Sequence, residues 1–135
     1  ISDCLVGSEM CIRDRTNTTI QRDNIYKKPV KNSWKLGEEG GLSGVPLREK
    51  TNKIIRSAYE LTNGKITIIG VGGISTGKDA FEKISMGASL LQLYTSLIYQ
   101  GPNVVVRILS DLSCSLKRKG LKNVSDLIGK NINYD

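Results

Sequence analysis

The sequence contains no histidine, and its three cysteines do not form a recognisable group. Without histidine, the Ser-His-Asp and Cys-His catalytic arrangements and most zinc sites are excluded for this chain. Cys4, Cys11 and Cys114 show neither metal-ligand nor redox spacing, so we predict no metal site. An odd number of cysteines without a secretory signal pattern indicates reduced thiols in a cytoplasmic-type compartment.

Aromatic residues and long apolar runs are also scarce. Only 5% of the residues are aromatic, with one Trp and one Phe, so the core must be mostly aliphatic. No stretch approaches the ~20 consecutive apolar residues of a membrane-spanning helix. The formal net charge of +7 can indicate a nucleic-acid or anionic-membrane surface. Because lysines occur in every segment, we favour an ordinary solvated surface and expect no nucleic-acid partner.

Residues 1–15 differ from the rest of the chain. They carry two of the three cysteines and show neither helical nor alternating periodicity. They resemble the translation of sequencing-adapter read-through, and we interpret them as a non-native segment. The alternative is a genuine but irregular N-terminal segment. Our interpretation leaves residues 16–135 as the domain.

The rest of the chain alternates between helical and strand patterns. In chain order, the pattern predicts a polar loop over 20–46, a helix over 48–62, a strand over 65–71, a helix capped by Thr76 and Asp79, a strand over 89–94, a helix over 102–119 and a last helical turn over 124–128. The helix faces predicted to be buried are Ile54, Ile55, Ala58 and Leu61, then Ala80, Phe81 and Ile84, then Val104, Val105, Ile108, Leu112 and Leu116. Strands separated by helices predict an α/β fold with a parallel sheet. Two parallel strands cannot cover their own faces and edges, so we expect this chain to be part of a larger sheet.

Two candidate binding motifs lie in the first half of the domain. Thr16, Asn17, Thr18 and Thr19 can donate to and accept from a planar polar ligand, although the residues alone favour an ordinary polar turn. The run GGLSG (40–44) allows the backbone to approach a ligand closely. A flexible loop is the alternative for that run.

The third candidate joins the ends of the two predicted strands, where Gly72-Gly73 and Tyr94-Thr95 lie. In a closed barrel these loops are neighbours on one rim, where loop amides commonly bind phosphate. The glycines are not a dinucleotide-binding fingerprint, because Ser75 occupies the position of its third glycine.

Together these segments resemble the C-terminal third of the dihydroorotate dehydrogenases. The matching runs are TNTT (16–19), EGGLSGVPLRE (39–49), ITIIGVGGISTGKDAFEKISMGASLLQLYT (66–95) and GP (101–102), in the family's order and near its spacing. The resemblance covers about residues 16–130. The triplet Leu93-Tyr94-Thr95 resembles the membrane-associated, quinone-reducing class.

The resemblance implies the C-terminal part of a (β/α)8 TIM barrel that binds FMN across its rim. In that arrangement Thr16 contacts the flavin, while Asn17 and Thr18 bind the orotate ring. The ribityl phosphate side of FMN is held by Gly44, Gly73, Tyr94 and Thr95, with Gly72 as their close neighbour. No catalytic residue is implied, because the family's serine base has no matching position in this chain.

The implied reaction is oxidation of (S)-dihydroorotate to orotate in pyrimidine biosynthesis, with a ubiquinone-type acceptor. The class implies peripheral association with the bacterial cytoplasmic or mitochondrial inner membrane, through a region outside this chain. A complete barrel needs about 250 residues, so we expect the chain alone neither to bind FMN tightly nor to turn over. The alternatives are a fumarate- or NAD-linked FMN barrel enzyme and a non-catalytic anion-binding module.

Overall fold

Helices and strands alternate along the chain as the sequence predicts. The structure is a computed structural model that describes residues 41–130. Its helices are α1 (Arg48–Leu61), α2 (Gly77–Ser85), α3 (Thr95–Gln100) and α4 (Asn103–Arg118), its strands are β1 (Ile69–Val71) and β2 (Leu90–Gln92), and single 3-10 turns cover Val45–Leu47 and Val124–Leu127. The predicted interpretation of residues 1–15 lies outside the described residues and stays a prediction.

The two strands are parallel neighbours connected by α2, which confirms the predicted β-α arrangement. Ile69 pairs with Leu90, and Val71 pairs with Gln92. Both strands are shorter than predicted, since each has only three residues in the ladder. Within residues 41–130 each strand has one neighbour, so the flanking predicted strand residues have no second ladder to join. The carboxyl ends of both strands therefore lie side by side on one edge.

Helix α1 follows the predicted range, but its buried face includes Thr51 and not Leu61. Ile55 and Ala58 are buried as predicted, whereas Leu61 is 62% exposed, so its predicted burial is wrong. Leu61 comes six residues after Ile55, and at about 100° per residue it points roughly 120° away from it. Thr51, four residues before Ile55, lies on the buried face instead and is 1% exposed. Asn63 and Gly64, both with positive φ, end the helix as predicted.

Helix α2 begins with the predicted capping box. The Thr76 hydroxyl accepts a hydrogen bond from the Asp79 backbone N–H at 3.2 Å. The Asp79 carboxylate accepts one from the Thr76 backbone N–H at 2.9 Å. Two of the first-turn N–H groups are thus satisfied by neighbouring side chains. Ala80, Phe81 and Ile84 are buried as predicted.

Helix α4 presents a narrower buried stripe than predicted, and a short helix precedes it. Val104, Ile108, Leu112 and Leu116, spaced four residues apart, are buried. Val105 lies one residue outside this row and is 39% exposed, so its predicted burial is wrong. The helix α3 was not predicted, because its single turn is too short to show a helical repeat. No helix among residues 41–130 combines the length and apolarity needed to cross a membrane.

The buried residues form three apolar clusters around β2. One is centred on Phe81 between α2 and α4, the second on Ile55 of α1, and the third on Ile74 and Val104. Leu91 of β2 packs against all three. The strand therefore connects the clusters, and its carboxyl end is positioned by packing on several sides.

A glycine at the end of α2 makes room for the Tyr59 ring. Gly87 has φ +122, and a Cβ built on it would lie 2.4 Å from the Tyr59 Cγ and 2.5 Å from its Cβ. Gly87→Ala therefore combines backbone strain with a clash at the base of the tyrosine side chain. We expect it to lower the free energy of unfolding by about 2 kcal/mol, measured by urea unfolding of the apoprotein.

The matched control for this change is Gly120→Ala. Gly120 also has positive φ (+66), but no atom of residues 41–130 would lie within 4 Å of a Cβ there. The free energy of unfolding of this variant should fall by only about 1 kcal/mol, which is the cost of a side chain on a left-handed backbone. Equal losses for the two variants would show that the contact with Tyr59 is unimportant.

Candidate functional site

A cavity of about 520 Å³ opens at the carboxyl ends of β1 and β2. It is lined by Ser43, Gly44, Val71, Gly72, Gly73, Ile74, Ser75, Gln92, Leu93, Tyr94, Thr95 and Ser96. All five predicted site residues of the described range, Gly44, Gly72, Gly73, Tyr94 and Thr95, are in this set. The predicted contacts of Thr16, Asn17 and Thr18 lie outside the described residues and stay predictions.

Three of the twelve described residues that line the cavity are glycines with a positive φ. Gly44, Gly72 and Gly73 have φ values of +89, +93 and +74. A Cβ on Gly73 would lie 2.7 Å from the backbone N and Cα of Arg48, which cannot move as a side chain could. At Gly73 the backbone of the β1–α2 turn therefore packs directly on the start of α1.

The glycine-rich run before α1 contacts the end of β2. Thr95 Oγ1 donates a hydrogen bond to Ser43 Oγ at 3.1 Å. A Cβ on Gly44 would lie 3.3 Å from Thr95 Cγ2. These contacts bring two motifs separated by about fifty residues to the same cavity. Tyr94, beside Thr95, is 71% exposed at the cavity mouth.

The β1–α2 turn is held from behind by the carboxylate of Asp79. Its Oδ2 accepts hydrogen bonds from the backbone N–H of Ser75 at 3.0 Å and of Thr76 at 2.9 Å. Its Oδ1 pairs with the guanidinium of Arg48. Burial alone raises the Asp79 pKa, but the bonds from Arg48, Thr76 and Ser75 outweigh it and hold that pKa below 3.8. Asp79 is therefore ionised at neutral pH.

A buried lysine lies behind the same turn. Lys83 is fully buried, and its ammonium donates to Thr51 Oγ1 at 2.7 Å and to Asn52 Oδ1 at 2.8 Å. Burial lowers the pKa of Lys83 to about 8, although Asp79 acts in the opposite direction. The Thr51 hydroxyl in turn approaches the carbonyl oxygens of Arg48 at 3.0 Å and of Gly72 at 3.3 Å.

Sequence reasoning missed the polar residues that support the site. Thr51 lies on the same helix face as Ile55 and Ala58, but it and Lys83 are polar residue types that hydrophobic patterning does not count toward the core. Ser96 was missed together with α3. Ser96 is 5% exposed, and its hydroxyl has no hydrogen-bond partner among residues 41–130.

The cavity has the composition of a site for an anionic group bound by neutral donors. Within residues 41–130, none of the residues that line it carries a charged side chain. Backbone amides in left-handed glycine turns and hydroxyl groups are common phosphate ligands. Among residues 41–130 no group of three His, Cys, Asp or Glu side chains could hold a metal ion.

Comparison with known proteins places these features in one family. The family model described as dihydroorotate dehydrogenase matches residues 8–116. The chain belongs to the dihydroorotate dehydrogenase family. The resemblance seen in the four sequence motifs is thereby confirmed.

Individual members of the dihydroorotate dehydrogenase family are similar to this chain in sequence. A protein of Trichormus variabilis named dihydroorotate dehydrogenase (quinone) is 47% identical over 84% of this chain and 31% of its own length. The mitochondrial protein of the same name from Mus musculus is 51% identical over 84% of this chain and 28% of its own length. The chain thus spans about a third of the length of these relatives.

Solved structures agree with this assignment. A ligand-free DHODH from Eimeria tenella superposes with a TM-score of 0.76 at 36% identity, over 95% of this chain and 38% of that one. The solved DHODH structures are TIM barrels, and the parallel β-α units of this chain form part of such a barrel. The predicted fold class is therefore confirmed.

Proposed function

We propose that the full-length protein carrying this chain oxidises (S)-dihydroorotate to orotate with FMN and a quinone acceptor, in pyrimidine biosynthesis. The observation that carries the proposal is the gathering of Gly44, Gly73 and Thr95 around one uncharged, donor-lined cavity. Family membership supports the same reaction, since the relatives are named dihydroorotate dehydrogenase (quinone).

The cavity suits the phosphate end of FMN. We infer that Gly44, Gly72, Gly73, Tyr94 and Thr95 hold this end of the cofactor. The backbone of Gly73 can approach the phosphate because no side chain intervenes, and Thr95 offers a hydroxyl group. The bound flavin supplies hydride acceptance, while the protein supplies position and electrostatics.

The residues outside the described range complete the proposed site. Thr16 contacts the flavin, and Asn17 and Thr18 bind the orotate ring through amide and hydroxyl groups that both donate and accept. The chain's own contribution is thus to orient cofactor and substrate, because proximity and alignment lower the barrier of a two-reactant step. The base that removes the substrate proton is proposed to come from another part of the protein.

The quinone acceptor implies work at a membrane surface. Quinones of the ubiquinone type partition into lipid, so the enzyme that reduces them must reach the bilayer. We propose peripheral association with the bacterial cytoplasmic or mitochondrial inner membrane, through a region other than residues 41–130.

Steady-state kinetics of the full-length protein tests this function. We expect purified protein to contain FMN and to oxidise dihydroorotate with a short-chain ubiquinone analogue. Fumarate and NAD should support at most about 1% of that rate, since the acceptor site differs between classes. Preferred reduction of fumarate or NAD would contradict the quinone assignment, and absence of dihydroorotate oxidation with every acceptor would contradict the proposed reaction.

A further inference from the structure

One carbonyl group of the turn that follows β1 accepts a hydrogen bond from a buried side chain of α1. Thr51, which is 1% exposed, directs its hydroxyl group toward the carbonyl oxygens of Arg48 and Gly72, at 3.0 and 3.3 Å. A trans peptide is planar, so the carbonyl of one residue and the N–H of the next point in opposite directions. When the Gly72 carbonyl faces Thr51, the N–H of Gly73 points away from Thr51, and Gly73 itself lines the cavity.

Lys83 determines which way the Thr51 hydroxyl can point. Its ammonium donates to Thr51 Oγ1 at 2.7 Å, so the threonine oxygen acts as acceptor there and its own hydrogen is left for the carbonyl groups. The lysine stem is fixed as well, because it packs under β1. A Cβ on Gly70 would lie only 2.8 Å from Lys83 Cδ.

We propose that Thr51, oriented by Lys83, is a positioning residue that turns the Gly73 N–H toward the phosphate of the bound cofactor. This inference rests on the proposed FMN site and adds two buried residues that do not line the cavity. The phosphate contact is made by Gly73, and Thr51 acts through the peptide group.

The arrangement depends on the protonation state of Lys83. An ammonium can only donate, whereas a neutral amine can accept the Thr51 hydrogen and so release the Gly72 carbonyl. Burial lowers the pKa of Lys83 to about 8; the carboxylates of Asp79 and Glu82 on α2 raise it, and Arg48 on α1 lowers it. We therefore expect the Thr51 hydroxyl to hold the Gly72 carbonyl less firmly once the pH rises above about 8.

The first test compares the affinities of the full-length apoprotein for FMN and riboflavin, which differ only in the phosphate. Thr51→Val removes the hydroxyl group at nearly constant shape. We expect it to reduce the preference for FMN over riboflavin about tenfold, as loss of a charge-assisted hydrogen bond would. Thr51→Ser, which keeps the hydroxyl, should restore most of the preference.

The control is Thr62→Val at the other end of α1. The Thr62 hydroxyl also donates to a helix carbonyl, that of Ala58 at 2.8 Å, but lies away from the cavity. The preference of Thr62→Val for FMN over riboflavin should equal that of the wild type. A purely structural role of Thr51 would weaken FMN and riboflavin binding equally, and that result would overturn the inference.

The second test needs only the wild-type protein and Lys83→Met. The FMN phosphate loses its second proton near pH 6, so its charge is constant above pH 7 (pKa about 6). The wild-type preference for FMN should nevertheless fall as the pH passes 8. Over the same range Lys83 favours folding more as pH rises, because its folded pKa of about 8 lies below its ordinary value of 10.5. Phosphate binding and stability thus change in opposite directions.

Lys83→Met should remove both pH dependences. If the wild-type preference for FMN over riboflavin stays constant from pH 7 to 9.5, the inference is overturned. This test does not require Thr51→Val to fold. If the wild-type protein binds FMN and Thr51→Val keeps its full preference, the inference alone is overturned. A wild-type protein that binds no FMN overturns the proposed function, and the inference with it.

Discussion

Replacing Gly73 with alanine should abolish tight cofactor binding. The alanine Cβ would lie 2.7 Å from the backbone N and Cα of Arg48, and the residue would have to keep φ near +74. Since neither helix backbone nor turn can yield without moving the other, the turn must shift away from α1. We expect FMN affinity of the full-length protein to fall about 100-fold, as for loss of one or more hydrogen bonds to a charged group.

Titration of the apoprotein with FMN, followed by flavin fluorescence, measures this loss. Gly120→Ala is the control, because its φ is also positive but its Cβ would meet no atom of the described part of the chain within 4 Å. It should bind FMN as the wild type does. If Gly73→Ala also keeps wild-type affinity, the β1–α2 turn does not hold the phosphate.

Replacing Asp79 with asparagine should destabilise the fold. Asp79 is 2% exposed. Its carboxylate pairs with the Arg48 guanidinium and accepts hydrogen bonds from two backbone N–H groups. Asparagine keeps one acceptor but turns an NH2 group toward donors and leaves Arg48 without its counter-charge. The carboxylate is buried, but the Arg48 side chain is 38% exposed, so the loss comes mainly from the backbone N–H groups that lose their charged acceptor. We expect a loss of about 2 kcal/mol in urea unfolding, as for a hydrogen bond to a charged group.

The pH dependence of stability gives a second signature for Asp79. Its folded pKa is held below the ordinary value of 3.8, so its contribution is complete above that value and is lost as pH falls through the folded pKa. As the pH falls below about 4, the free energy of unfolding should therefore decrease less for Asp79→Asn than for the wild type.

The control for Asp79→Asn is Glu60→Gln, which breaks another arginine–carboxylate pair, with Arg56, where the Glu60 side chain is 58% exposed. Exposed pairs contribute little, so this change should cost at most about 0.5 kcal/mol. Equal losses in the two variants would contradict the role assigned to the buried carboxylate.

The sequence predicts the order of elements well because each is marked by local signals. The Thr76-Asp79 capping box, the Asn63-Gly64 stop and the four-residue spacing from Val104 to Leu116 are readable without tertiary information. Exposed and buried neighbours are harder to separate. Leu61 and Val105 are apolar residues beside a buried stripe, and only the packing of the neighbouring elements determines which side faces the core.

The candidate site was predictable where it requires a backbone conformation with positive φ. Gly44, Gly72 and Gly73 stand out because left-handed turns favour glycine, and the strand ends fix where such turns meet. Thr51 and Lys83 support these turns through contacts between residues that are distant in sequence, and the ion pair between Arg48 and Asp79 is also of this kind. No periodicity marks such contacts, because a buried polar residue looks like a solvent-facing one until its partner is known.

A crystal structure of the full-length protein with FMN tests the central claim most directly. We expect a phosphate oxygen within hydrogen-bonding distance of the Gly73 backbone nitrogen, and another within reach of Thr95 Oγ1. Both contacts should arise from the cavity between the ends of β1 and β2. A structure in which the FMN phosphate lies elsewhere, with this cavity filled by water alone, would contradict the account.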